Sequence, residues 1–224
     1  MAIAELTFSI GTTFKSGSKQ AVLYDTLKNR GRDEEFQKIF GEANAYSFYA
    51  QAVGSIAARF LFSINVNLPM IISMRVMDIT IIICILFDEP EIDITKTANE
   101  SYARQITESA KYIVNHKKVL GVILFSVVFH YIYRVGFIFF KPYMVAVKIL
   151  VFYFGVIFFL FNIVAAQASK RTADFVRLTK PRTLMVLSSL IFISVIALGM
   201  TKLWFGVGFI FLQKATRGLL NPVT

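Results

Sequence analysis

Long apolar runs, separated by short polar and mostly basic stretches, set the pattern of this chain. The runs at 43–62, 68–87, 119–140, 143–166 and 184–200 match the span of about 17–25 residues that a helix needs to cross a hydrocarbon core about 30 Å thick. A weaker run, 203–224, is interrupted by Lys214 and Arg217. The opening apolar piece, Ala2 to Phe14, reaches only about 20 Å as a helix at about 1.5 Å per residue and does not span alone. It reads as the second half of a helix whose beginning is missing. With Glu5 and no basic leader ahead of the apolar residues, it does not have the form of a secretory signal. The pattern therefore predicts six spans and a half, an all-α polytopic membrane bundle.

The polar stretches have their own order. Residues 15–42 carry Val22, Leu23, Leu27, Phe36 and Ile39 at helical spacing, which predicts short amphipathic helices at the membrane surface, turned at Gly31 and Gly41. Pro69 falls in the first turn of its run, where a missing N–H is harmless. The longest polar connection, 88–118, opens on Asp88-Glu89-Pro90-Glu91 and continues as a surface helix over 99–115, with Tyr102, Ile106, Ala110 and Ile113 on one face. Lys141-Pro142 is expected to end the run before it. Thr201-Lys202 reads as a tight turn. The run 43–62 is rich in small residues, among them Ala45, Ala52, Gly54, Ala57 and Ala58, which let helices approach closely in lipid.

Composition sharpens this picture. Of 224 residues, 56% are hydrophobic, 17% are charged and 23 are phenylalanine, more apolar and less charged than a soluble domain. The net charge of +10 is a matter of orientation. Six basic residues lie in 15–42, five in 88–118 and five in 167–183, so sixteen of the 24 fall in the three long connections. The alternate turns hold only Lys141 and Lys202. This asymmetry puts the long connections on the cytoplasmic side and Trp204 at the outer interface. Nucleic-acid binding is not expected, because the basic residues form no continuous face beside stacking aromatics. The lone Cys84 excludes an intrachain disulfide and reads as a small buried hydrophobe. His116 and His130 are too few and too far apart for a metal site. No Gly-rich phosphate loop, His-Glu-x-x-His or Gly-x-Ser-x-Gly is present, so neither an enzyme nor a cofactor is expected.

Ionisable residues inside apolar runs are the candidates for function, since each costs about 2.5–3.5 kcal/mol on insertion scales. They are Glu5, Arg75, Asp78, His130, Arg134, Lys214 and Arg217. Arg75 and Asp78, three apart, share a helical face and read either as a proton- or substrate-binding carboxylate tuned by a guanidinium or as a structural ion pair against a neighbouring helix. His130 and Arg134, with Tyr131 and Tyr133, read either as contacts for an anionic or aromatic substrate or as an interfacial arginine and a bonded histidine. Lys214 and Arg217 line a cavity or mark the cytoplasmic end of a short span. Arg59 and Lys148 lie near outer ends and are expected to snorkel.

The stretch Thr13-Phe14-Lys15-Ser16-Gly17-Ser18, continuing through Ala21-Val22-Leu23-Tyr24-Asp25-Thr26-Leu27, resembles a pattern of the major facilitator superfamily. There the fourth helix ends in a Ser-Gly-Ser turn, and an Ala-x-Leu-Tyr-Asp-x-Leu segment follows on the cytoplasmic side. Phe36-x-Lys38-Ile39-x-Gly41, the small-residue helix, the Leu68-Pro69 turn, Glu89-Pro90 and the stretch Leu212-Gln213 to Gly218-Leu219 with Pro222 continue the likeness. The resemblance implies a partial facilitator-like architecture running from the middle of the fourth helix to the tenth. Residues 1–87 would end a first bundle, 88–118 would form the central cytoplasmic loop, and 119–224 would begin a second bundle. It assigns Ser16, Gly17, Tyr24 and Asp25 to a cytoplasmic loop motif. The family's Gly-Pro antiporter signature is absent from Gly54-Ser55-Ile56-Ala57-Ala58, which leaves proton–drug antiport without its motif. The implied function is secondary transport of a small molecule across the cytoplasmic membrane by alternating access. The implied partners are the bilayer, the solute and the family's remaining helices. A non-transporting remnant of a split or frameshifted gene, and a membrane scaffold or receptor subunit, are the competing expectations.

Overall fold

A computed structural model describes residues 2–86, 102–179, 182–201 and 203–220. Every regular element among them is a helix. In chain order these are α1 (Ala2–Asn29), α2 (Phe36–Ile64), α3 (Leu68–Ile85), α4 (Tyr102–Asn115), α5 (Lys117–Ala146), α6 (Phe154–Lys170), α7 (Thr172–Thr179), α8 (Thr183–Met200) and α9 (Val207–Leu220). Among the described residues, four segments are long and apolar enough to cross a membrane: Leu68–Ile85, Lys117–Ala146, Val151–Lys170 and Thr183–Met200. The surface agrees with their composition. Ile71, Met74, Met77, Ile81, Ile82 and Ile85 of α3 are all exposed, a continuous apolar face that water would penalise and hydrocarbon accepts. This is the surface of an all-α membrane protein. Cys84, expected to be buried, is exposed on this same helix.

Hydroxyl groups inside the helices turn back on their own backbone. Ser73 donates to the carbonyl of Pro69, Thr80 to Val76, Ser126 to Val122 and Ser188 to Leu184, at 2.6–2.9 Å. Such bonds satisfy a polar group where no water is available.

Several boundaries differ from the sequence pattern. The expected Ser-Gly-Ser turn is not a turn: α1 continues as one helix of 28 residues through Ser16-Gly17-Ser18 to Asn29. Gly and Ser cost a helix about 0.5–1 kcal/mol each, which a long helix absorbs. Gly31 does turn the chain, at φ +65°, the left-handed region open to glycine. Gly41 does not. It is buried within α2, which runs unbroken for 29 residues after a 3₁₀ turn at Asp33–Glu35. Lys141-Pro142 does not end α5 either. Pro142 lies inside the helix, and the chain breaks later, where Lys148 takes φ +59° and the Ile149 N–H donates to the Met144 carbonyl. The connection 167–183 includes the end of α6 and all of α7. Lys202 lies outside the described residues, and a 3₁₀ turn at Trp204–Gly206 delays α9 to Val207. With 14 residues, α9 reaches about 21 Å at about 1.5 Å per residue, shorter than a hydrocarbon core about 30 Å thick. The expected surface helix exists as α4, where Arg104 pairs with Glu108 at 2.8 Å.

The centre of the molecule is α6, packed on one side against α2 and on another against α9, which in turn meets α8. Ala45 and Phe48 of α2 interlock with Ala165 and Ala166 of α6. A Cβ on Gly155 would lie 3.2 Å from the Ser55 carbonyl oxygen and 3.1 Å from Arg59 Cδ. Ser169 of α6 donates to the carbonyl of Gly41 at 2.9 Å. Small residues thus set the spacing of α2 and α6, as close helix packing in lipid requires. The hydrophobic cluster of Phe140, Phe161 and Ile210 fills the space between α5, α6 and α9, with the Phe161 and Phe211 rings edge to face at 4.6 Å.

Candidate functional site

Two contacts seat α9 in the bundle. At its entry, the Tyr143 hydroxyl lies 2.9 Å from the carbonyl oxygens of both Thr201 and Leu203, and it occupies the space that a Cβ on Gly206 would need. Near its end, a Cβ on Gly218 would stand 2.3 Å from the Ala165 carbonyl oxygen. Only glycine allows this approach to α6. The consequence is chemical: a short helix carrying Gln213, Lys214 and Arg217 is drawn inward, and those polar groups go with it.

Gln213 is 1% exposed and Lys214 4%. Both side-chain polar atoms of Gln213 are buried without a hydrogen-bond partner, as is Nε of Arg217. The cations rest on aromatic faces of α5. The Lys214 ammonium lies 4.9 Å from the Phe137 ring centre, and the Arg217 guanidinium lies 4.4 Å from that of Tyr133. Beside them, His130, Arg134, Tyr133 and Arg217 border a cavity of about 580 Å³ between α5 and α9. His130 Nδ1 is 3.0 Å from the Ser126 carbonyl oxygen, which leaves Nε2 free of that contact. Among the described residues, the salt bridges are Arg32–Glu35, Arg75–Asp78 and Arg104–Glu108. None involves the cations of this cleft.

Three of the sequence candidates therefore meet, His130, Arg134 and Arg217; Lys214 does not line the cavity but shares the Tyr133 ring with Arg217. Arg75 and Asp78 do not join them. They form a 3.8 Å pair on the exposed surface of α3, with side chains 81% and 61% accessible, and no neighbouring helix covers them. Glu5 lies on α1, and its side chain is outside the described set, as is that of Ser16; Gly17 lies on the same helix. Tyr24 and Asp25 belong to the last turns of α1 and not to a loop. The Tyr24 ring meets Phe36 edge-on at 5.6 Å, and Phe36 stacks on Phe40, so this motif pins α1 to the start of α2. Arg59 is held over the Phe152 ring at 3.5 Å. Among the described residues, no three His, Cys, Asp or Glu side chains gather as metal ligands would.

Sequence reasoning passed over Gln213 and Phe137 as site members, and Asn162 entirely. Asn162 is the sole polar side chain in the run 154–166. It is 4% exposed, and its Nδ2 lies 3.5 Å from the Ser55 hydroxyl. An amide isolated in an apolar run is the signal that would have found it.

Comparison of the chain with protein-family models, with curated proteins and with solved structures finds no match.

Proposed function

We propose that this chain forms part or all of a secondary carrier, moving a small solute across the cytoplasmic membrane. The observation that carries the reading is the buried polar face of α9. Gln213 and Lys214 are buried and Arg217 is half-buried at the edge of a cleft, and none of the three has a carboxylate partner among the described residues. Within a bilayer, polar groups of this kind persist where they serve a solute, an ion path or a partner. The packing of α2 from the first half of the chain against α6 from the second suits two bundles that rock about a shared interface, as in alternating access of the major facilitator type. Without a phosphate-binding loop in the sequence, the driving force is an ion gradient or the solute's own gradient. The basic connections 15–42, 88–118 and 167–183 face the cytoplasm in this reading.

The test is reconstitution of the full chain in vesicles. Labelled organic anions, cations and neutral solutes are offered under imposed proton and sodium gradients. Saturable, gradient-dependent uptake is expected. Uptake no greater than that of empty vesicles for every solute, or uptake that requires ATP hydrolysis by the chain itself, overturns the proposal.

A further inference from the structure

We propose that the cleft between α5 and α9 is a receptor for an oxyacid anion: a carboxylate, sulfonate or phosphate group. Its use as a solute site rests on the carrier reading, whereas the anion site itself does not. Arg217 lines this cleft and its Nε is buried and unbonded; Lys214, almost fully buried, does not line it but adds positive charge beside the same Tyr133 ring. The ring faces of Phe137 and Tyr133 stand where counter-charges would be. Arg134 and His130 add positive or proton-donating capacity at the rim of the same cavity. Like charges repel more strongly as water is withdrawn, and an aromatic face compensates only part of what a carboxylate supplies. An incoming oxyacid supplies the rest. The guanidinium fork is shaped to hold two of its oxygens, and about 580 Å³ suits a small organic anion. A cation gains nothing here.

The probe is labelled benzoate, measured by equilibrium binding to the purified full chain in a lipid-free non-ionic detergent, with benzylamine as the cationic counterpart. Benzoate is expected to bind and benzylamine is not. Arg134→Gln removes an exposed side chain, so the fold is kept, as an unchanged size-exclusion profile checks. Loss of that charged hydrogen-bond donor is expected to weaken benzoate by about tenfold. Arg217→Lys, which keeps the charge but loses the fork, is expected to weaken it less than Arg217→Gln. If benzoate does not bind, but phosphatidylglycerol stabilises the wild type against heating and fails to stabilise Arg134→Gln, the anion is a lipid headgroup and the proposal stands. It falls if neither anion binds, if benzylamine binds equally well, or if Arg134→Gln and Arg217→Gln bind as the wild type does. Vesicle uptake separates the two proposals. Benzoate binding with no uptake of any solute sinks the carrier and leaves the anion site. Uptake of a neutral or cationic solute, insensitive to benzoate and to Arg134→Gln, sinks the site as the carrier's solute site and leaves the carrier.

Discussion

At the scale of single residues, glycine and serine do the fine positioning. Gly218 faces a backbone oxygen that a Cβ would approach to 2.3 Å, whereas Gly208 of the same helix faces open space. Backbone cannot swing aside as a flexible side chain does. Gly218→Val is therefore expected to cost about 1–3 kcal/mol by overpacking. Gly208→Val is expected to leave stability nearly unchanged. Melting curves of the two variants in one detergent compare them directly, and equal midpoints would refute the close approach of α9 to α6. A contrasting residue is Glu35. A hydrogen bond from Arg32 holds its carboxyl below the usual carboxylate range; desolvation opposes it, and the charges of Arg32 and Lys38 add lesser support. The sign follows from the lowered value: the pair is in place above the ordinary carboxylate range and is lost only as pH falls through that lower value. Both partners are exposed, so Glu35→Gln is expected to move the melting midpoint by less than about one degree. A larger shift, measured at neutral pH, would mean that this turn is packed against something more.

Elements show where a linear pattern stops being informative. The apolar runs made helices at α3, α5, α6 and α8 legible, because twenty apolar residues in sequence leave few alternatives. Their ends were less legible. Pro142 stands inside α5 because one missing N–H removes one bond from a long ladder, and neighbouring groups in a bundle can take up the freed carbonyl. The true break, at Lys148, needs a left-handed backbone that no glycine announces. Single cysteines placed from 138 to 150 test this. Labelling from the aqueous or lipid side is expected to follow a helical period through 142 and to lose it at 147–150. Loss of the period at 142 instead would restore the break that the sequence suggested. Gly41 teaches the same lesson in reverse. Read as a turn, it is a contact point, and its carbonyl receives Ser169 from a helix that no local pattern connects to it.

For the whole molecule, the sequence told which segments are helical and apolar but not which of them touch. Small residues in 43–62 announced a close partner without naming it, and α6 supplies it through Ala165 and Ala166. The candidate site was half legible for the same reason. Charges inside apolar runs are visible in one dimension, so His130, Arg134, Lys214 and Arg217 could be singled out. That Arg75 and Asp78 belong elsewhere depends on α3 touching little besides α2. If α2 and α6 hold the halves together, a chain cut by a protease site inserted at Asn65–Asn67, in the exposed turn after α2, should remain one complex. The fragment ending in α2 is expected to co-purify with the remainder in mild detergent, and Ala166→Leu is expected to release it. Separation of the two wild-type fragments would refute this interface.

The Ser169–Gly41 bond joins groups 128 residues apart, and this fixes an order of events at birth. A ribosome adding about 5–20 residues per second finishes α2 on the order of ten seconds before α6 emerges. Throughout that interval the small, partly polar face of α2 must be sheltered by lipid, by the insertion machinery or by a temporary neighbour. The biogenesis of this protein thus turns on a helix that waits for its mate.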